Sequence, residues 1–396
     1  MPYFVSDAVL DRYRNKNLFE IFDNVELIEN ELGQFLKIVD PFDTINQSEY
    51  ISHKELKVFE YLTNRKLSLI YGIANKSCKH LRKKNIHRIA DLVGLSNKNY
   101  LEAGELSTLI SCKDVENLKR NRNFKDEDLL FCTKPEDIVF LDIETTGQLN
   151  AEIFLIGIGY FILLEEQQYE FKTELLFARE ISEEPAVLKY FLDMIPRFKM
   201  MVTYNGKLFD IPFIMNRLKQ LLDIEDIKPV YDVTCEKEDE SSVHDDMIES
   251  IFARLIHLDL YFVVQRAYRK MLPNYRLVTV EEYILGKKRN EHLPSADVPT
   301  VYVDWINKPE EYFGGLYKII EHNFYDVINL ELILKEWIQT KLQEAYNDLL
   351  KSSNYSEDSE DTKKLNINKW KELVINLEEK LLSEKRFAVK RIDDYL

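Results

Sequence analysis

Five side chains in three short stretches of this chain have the types and spacing for metal-assisted hydrolysis. Asp142-Ile143-Glu144 closes the apolar run Ile138-Val139-Phe140-Leu141. Such a run reads as a buried strand, in which residues two apart project to the same side. Asp142 and Glu144 therefore point together, and two neighbouring carboxylates taken out of water repel each other. A hard divalent cation relieves both problems; an ordinary strand end with two solvated acids is the plain alternative. Thr203-Tyr204-Asn205-Gly206 ends a second buried run and turns into a helix that starts near Asp210, with Pro212 in its first turn, where a missing N–H is no loss. Asp210 is either the cap of that helix or a third acid beside a strand end. In Ile319–Leu330, His322 and Asp326 are four residues apart in a helical pattern. They stack one turn apart on one face, as a solvated surface pair or as a fourth acid with a base beside it.

Four carboxylates from a strand, a helix start and a late helix can hold two divalent ions. Two ions about 4 Å apart activate a water and steady the leaving oxygen in phosphodiester cleavage. A histidine, with its pKa near neutrality, suits the proton transfer.

The elements that must position these groups are legible as well. Val25–Ile28 and Gln34–Ile38 flank a polar turn, and residues 1–50 read as a β-hairpin segment packing on the core. Residues 51–130 change to a helical module. Residues 135–340 alternate strands and helices: Ile138–Leu141, Glu152–Phe161 and Tyr169–Thr173 as strands, Pro185–Pro196 as a helix, Lys199–Tyr204 as a strand, Ile211–Leu222 as a helix. Three strands in a row, then a helix and a strand, indicate an α/β mixed sheet flanked by helices. Residues 232–250 are an acidic surface insertion, 351–365 a flexible linker, and 366–396 a C-terminal helix that either docks back or binds a partner protein.

Composition narrows the function classes. Of 396 residues, 45% are hydrophobic and 31% charged, as in a globular protein with ample core. No apolar run approaches the roughly 20 residues that span a bilayer, and the N-terminal residues lack a signal-peptide pattern. Four cysteines (78, 112, 132, 235) form no CxxC or CxxxC pair, which argues against a zinc site and a disulfide framework and fits a reducing, cytoplasmic setting. The net charge of −16 is unlike that of a nonspecific nucleic-acid binder. A carboxylate metal site supplies several of the negatives, however, and the basic residues cluster, so charge is read by segment.

With those residues set out, the chain resembles the DEDD (DnaQ-like) exonuclease superfamily on a ribonuclease-H-like fold. Asp142-x-Glu144 is similar to the first motif, Asn205-x-x-x-Phe209-Asp210 to the second, and His322-x-x-x-Asp326 to the third. The form His322-Asn323-x-x-Asp326-Val327 resembles the YprB-type branch, as does the spacing from Leu277 through Glu281 and Leu285-Gly286 to Arg289. Val298-Pro299-Thr300 departs from the branch pattern, which often has Pro-Gly there. Leu67–Ile86 resembles one helix-hairpin-helix unit, with Ala74 where that motif has its second glycine. The resemblance implies a 3′→5′ exonuclease on single-stranded DNA or RNA, with two Mg²⁺ or Mn²⁺ ions on Asp142, Glu144, Asp210 and Asp326, and His322 as general base. It further implies nucleic-acid contacts from Asn205, Phe209 and Arg289, and from Lys76, Lys79, Arg82 and Lys83 of the helical module. A noncatalytic binding protein on a nuclease fold and a structure-selective endonuclease remain open beside it.

Overall fold

A computed structural model describes residues 5–42, 51–93, 95, 102–147, 151–164, 168–222, 248–289 and 293–352. Most of the acidic insertion, nearly all of the linker, the C-terminal helix and Cys235 lie outside the described residues. By its contacts the chain divides into two compact units, Met1–Tyr50 with Pro135–Leu334, and Ile51–Lys134 with Lys335–Leu396.

Among the described residues, the first unit is built on one seven-stranded sheet. Its strands are β1 (Val25–Asn30), β2 (Gly33–Val39), β3 (Ile138–Thr145), β4 (Ile153–Leu163), β5 (Tyr169–Phe177), β6 (Met200–Thr203) and β7 (Ile256–Asp259). The order across the sheet is β1-β2-β5-β4-β3-β6-β7. β1 through β3 pair antiparallel, while β6 and β7 run parallel to β3. The sheet is thus the expected mixed α/β sheet, flanked by helices. In open sheets of this kind the carboxyl ends of parallel strands form the customary crevice for ligands. Here that edge carries Asp142 and Glu144 near the end of β3, Asn205 just past β6, and Asp259 at the end of β7.

Two elements differ from the sequence reading. β5 runs on to Phe177, because Glu174–Phe177 pairs with β2 on one side and β4 on the other. Leu175, Leu176 and Phe177 are all buried, so the period-two alternation that marks a half-exposed strand is missing. The N-terminal hairpin joins the sheet at this same β5 edge, and its turn is tighter than expected, Asn30 pairing directly with Gly33.

The helix Pro309–Ser352 carries the third motif across the sheet. Its approach depends on Gly157 and Gly159 of β4. A Cβ at Gly157 would lie 2.8 Å from Val327 Cγ2 and closer still to Asn323 Oδ1, and one at Gly159 would lie 2.8 Å from Val327 Cγ1. Glycine in a strand interior commonly marks such a close approach. The helix Val298–Asn307 is anchored by Tyr302, stacked on Phe154 with ring centroids 3.7 Å apart and donating its hydroxyl to the Ala178 carbonyl at 2.9 Å.

The second unit is helical. Ser52 and Glu55 form a reciprocal capping box at the start of His53–Asn64. Buried Glu55 also accepts from Lys335 Nζ at 2.8 Å, which joins the last part of the long helix to this unit. The element before the glycine turn is a short 3₁₀ turn, Leu67–Leu69, where the helix-hairpin-helix resemblance implies the end of a helix. Gly72 then takes φ +81° and leads into the basic helix Asn75–Lys83. Among the described residues no helix is long and apolar enough to cross a membrane.

Candidate active site

Asp142 and Glu144 sit opposite Gly157 and Leu155 of β4 in register. Directly opposed residues share a face, so both acids look toward the long helix that Gly157 admits. Asn323 of that helix donates its Nδ2 to Asp142 Oδ2 at 2.8 Å. Glu144 is 7% exposed, Asp210 5%, His322 6% and Asp326 8%, so the third motif is a buried pair and not a solvated one.

Asp210 opens the helix Asp210–Leu222. It reaches back to β3, where the Ile143 amide, lying between the two acids of the first motif, hydrogen-bonds its carboxylate. The turn that delivers it is held by Asp259. That carboxylate accepts the Asn205 amide at 2.8 Å, the Lys207 amide at 3.0 Å and, as the cap of its own helix, the Tyr261 amide at 3.0 Å. Asn205 has φ +64°, a left-handed conformation that asparagine adopts more readily than most residues. Phe209 and Leu208 of the same turn remain 41% and 68% exposed.

The four acids feel one another. Burial first, then the charges of Asp326, Asp210 and Glu144, push the Asp142 carboxyl well above the usual carboxylate range, and Arg289 offsets only part of this. Burial followed by Asp326 and Asp210 does the same to Glu144. Asp210 is pushed up to about 7, mainly by burial, with backbone hydrogen bonds pulling the other way and Asp259 and Asp326 adding to the rise. Glu144 Oε1 is buried without a hydrogen-bond partner, and His322 Nε2 lies 3.5 Å from it. A buried carboxylate oxygen with no donor is costly. All-oxygen donors with surplus negative charge fit a hard divalent ion such as Mg²⁺ or Mn²⁺ better than zinc. As the side chains stand, no three His, Cys, Asp or Glu groups among the described residues close into a finished ion cage: Asp326 is turned to Arg289 and Asp142 to Asn323.

His322 Nε2 is 3.4 Å from Asp326 Oδ2, and burial lowers its pKa. Arg289 is brought into the same cluster, paired with both Glu281 and Asp326 and largely withdrawn from solvent. In the helical unit, Lys76, Lys79, Arg82 and Lys83 are exposed along one short helix, well apart in sequence from the acids. Sequence reasoning gave Asn323, Glu281 and Gly157 no role and missed the turn-holding role of Asp259. Only the glycine pair carried a local signal, two glycines two apart inside a strand pattern.

An acid-lined edge at the parallel strands of this mixed sheet defines the class of protein. The chain belongs to the RNase_H superfamily, whose family model matches residues 139–338. Individual relatives are similar over part of the chain. The chain is 28% identical over 207 residues to a DNA polymerase of Pyrococcus horikoshii, covering 48% of this chain and 15% of the polymerase. A DNA polymerase of Pyrococcus glycovorans is 29% identical over 157 residues, 39% of this chain and 18% of that one. The uncharacterized protein YprB of Bacillus subtilis is 27% identical over 197 residues, 49% of this chain and 40% of YprB, in keeping with the YprB-type motifs. The chain therefore spans less than half the length of each of these relatives.

Proposed function

We propose that the chain is a two-metal-ion nuclease, a 3′→5′ exonuclease acting on single-stranded DNA or RNA. The observation that carries this reading is the convergence of Asp142, Glu144, Asp210 and Asp326 from three distant segments, with one buried carboxylate oxygen left unsatisfied. Two Mg²⁺ or Mn²⁺ ions held there would supply Lewis acidity and an activated water. Asn323 steadies Asp142 from the long helix, and Asp259 fixes the turn that presents Asp210. His322, whose pKa burial lowers, would accept a proton. Phe209 offers an exposed ring beside Asp210, and Asn205 its side chain, to a terminal nucleotide. Lys76, Lys79, Arg82 and Lys83 would bind the phosphate backbone, supported by their exposure and by a helix start that no side chain caps. Free thiols at Cys78, Cys112 and Cys132 support a reducing, cytoplasmic setting.

The Arg289–Asp326 pair favours one competing reading, a nucleic-acid-binding protein that does not cleave, because it occupies an acid the ions need. One assay separates them. End-labelled single-stranded DNA, duplex DNA and RNA are incubated with Mn²⁺ and either the wild type or Asp142→Ala. A ladder from the 3′ end that the variant lacks supports the proposal. Binding without metal-dependent cleavage selects the competitor, and internal cuts select an endonuclease.

A further inference from the structure

Behind Asp326 lies a buried charge network that the proposed chemistry does not use. Glu281 is 1% exposed. Its Oε2 accepts from Arg289 Nε at 2.8 Å, and its Oε1 accepts from Arg289 Nη2 and, at 2.9 Å, from Asn329 Nδ2. Gly286, at φ +65°, turns the chain so that residue 289 comes back onto residue 281. The same Nη2 donates to Asp326 Oδ1, and Nη1 lies 3.4 Å from His322 Nδ1. Asp326 Oδ2 is left on the side of His322 Nε2, 3.4 Å away.

A forked arginine–carboxylate pair is planar and rigid, so Glu281 fixes where the guanidinium points. The guanidinium in turn opposes the repulsion among the acids, drawing down the carboxyls of both Asp142 and Glu144. A long, unanchored arginine could rotate to grip both oxygens of Asp326, and this one is held by its other edge. We propose that Glu281 is a positioning residue: it restrains Arg289 to one oxygen of Asp326, so that Asp326 offers the other oxygen alone to an ion. This rests on the two-metal reading, and it makes Arg289 a restraint on ion affinity.

The test is Mn²⁺ binding by the full chain, followed by the EPR signal of free Mn²⁺, for wild type, E281Q, R289M, the double variant and D142A, with thermal melts alongside. R289M frees both Asp326 oxygens and tightens Mn²⁺ binding about tenfold, the scale of removing one nearby charge under strong screening. E281Q releases the guanidinium onto Asp326 and weakens binding by about the same factor. In the R289M background E281Q changes affinity less than about twofold, because nothing remains for Glu281 to position. Should R289M not fold, R289Q takes its place in the cycle with the same expected result. An equal effect of E281Q in both backgrounds, or an R289M affinity equal to wild type, overturns the proposal. Wild type that binds no Mn²⁺, or binds it as D142A does, overturns the two-metal reading and this inference with it. Binding that D142A abolishes but the cycle leaves unmoved overturns this inference alone.

Discussion

Gly157→Ala should uncouple the third motif from the first. The added Cβ would stand 2.8 Å from Val327 Cγ2 and nearer still to Asn323 Oδ1, whereas carbon atoms pack at about 3.5–4.0 Å. The shortfall is about 1 Å, and because Val327 sits on the helix itself, side-chain rotation of Asn323 alone does not relieve it. The long helix must lift. Overpacking of this size costs about 1–3 kcal/mol, which corresponds to a melting temperature lower by about 2–12 °C in a unit of this length. The same lift stretches the 2.8 Å bond from Asn323 to Asp142 and moves His322 and Asp326 with it. A misplacement of 1 Å lowers catalytic rates by roughly 10². Single-turnover cleavage of a labelled strand, with thermal melts alongside, measures both effects. Gly159→Ala is the control. It meets Val327 Cγ1 at 2.8 Å and Phe171 Cζ at 2.5 Å but lies opposite Phe140 and not Asp142, so it should lose comparable stability with a smaller loss of rate. Shortening the neighbour, in G157A/V327A, should recover part of both. A G157A protein that melts and cleaves like the wild type refutes the close-approach argument.

Three further outcomes are expected. His322→Ala should lower turnover by roughly 10²–10⁴ while leaving Mn²⁺ binding nearly intact; an equal loss of Mn²⁺ binding would make it a ligand and not a base. Asp210 titrates at about 7 in the folded chain, above an ordinary value near 4, so its contribution to stability is complete below about pH 4 and is lost as pH rises through about 7. Metal-free wild type should therefore melt lower at pH 8 than at pH 5, Asp210→Asn should melt higher than wild type at pH 8 in EDTA, and Mn²⁺ should rescue only the wild type; identical melts at both pH values would contradict the buried-acid account. Reversing Lys79, Arg82 and Lys83 to glutamate should weaken single-strand binding and reduce the slope of log affinity against log salt by about 2, whereas an unchanged slope would remove the basic helix from the binding surface.

The first motif could be read locally because a strand has a period of two: Asp142 and Glu144 must share a side whatever surrounds them. The four-residue spacing of His322 and Asp326 was equally local. The helix start at Asp210 was marked by Asn205-Gly206 and Pro212. Other features had no such signal. Asn323 entered only as one position of a resembling motif, yet it bonds a residue 181 positions earlier. Glu281 belonged to a resembling pattern without a visible task, and Arg289 was expected at phosphate but is forked onto Glu281 and Asp326. The end of β5 was hidden because both of its faces are buried.

Taken alone, the sequence determined the kinds of element and the pairing of acids within each motif, since these follow from periodicity and residue type over a few neighbours; the family entered as a resemblance carried by those motifs. Tertiary structure decided which edges met and which side chains faced one another. Backbone hydrogen-bonding edges are alike from strand to strand, so strand pattern by itself does not say that the N-terminal hairpin joins β5 or that β6 joins β3. Only the packed sheet, with a helix lowered onto two glycines, brings the separate acids into one buried cluster and sets an arginine against the last of them.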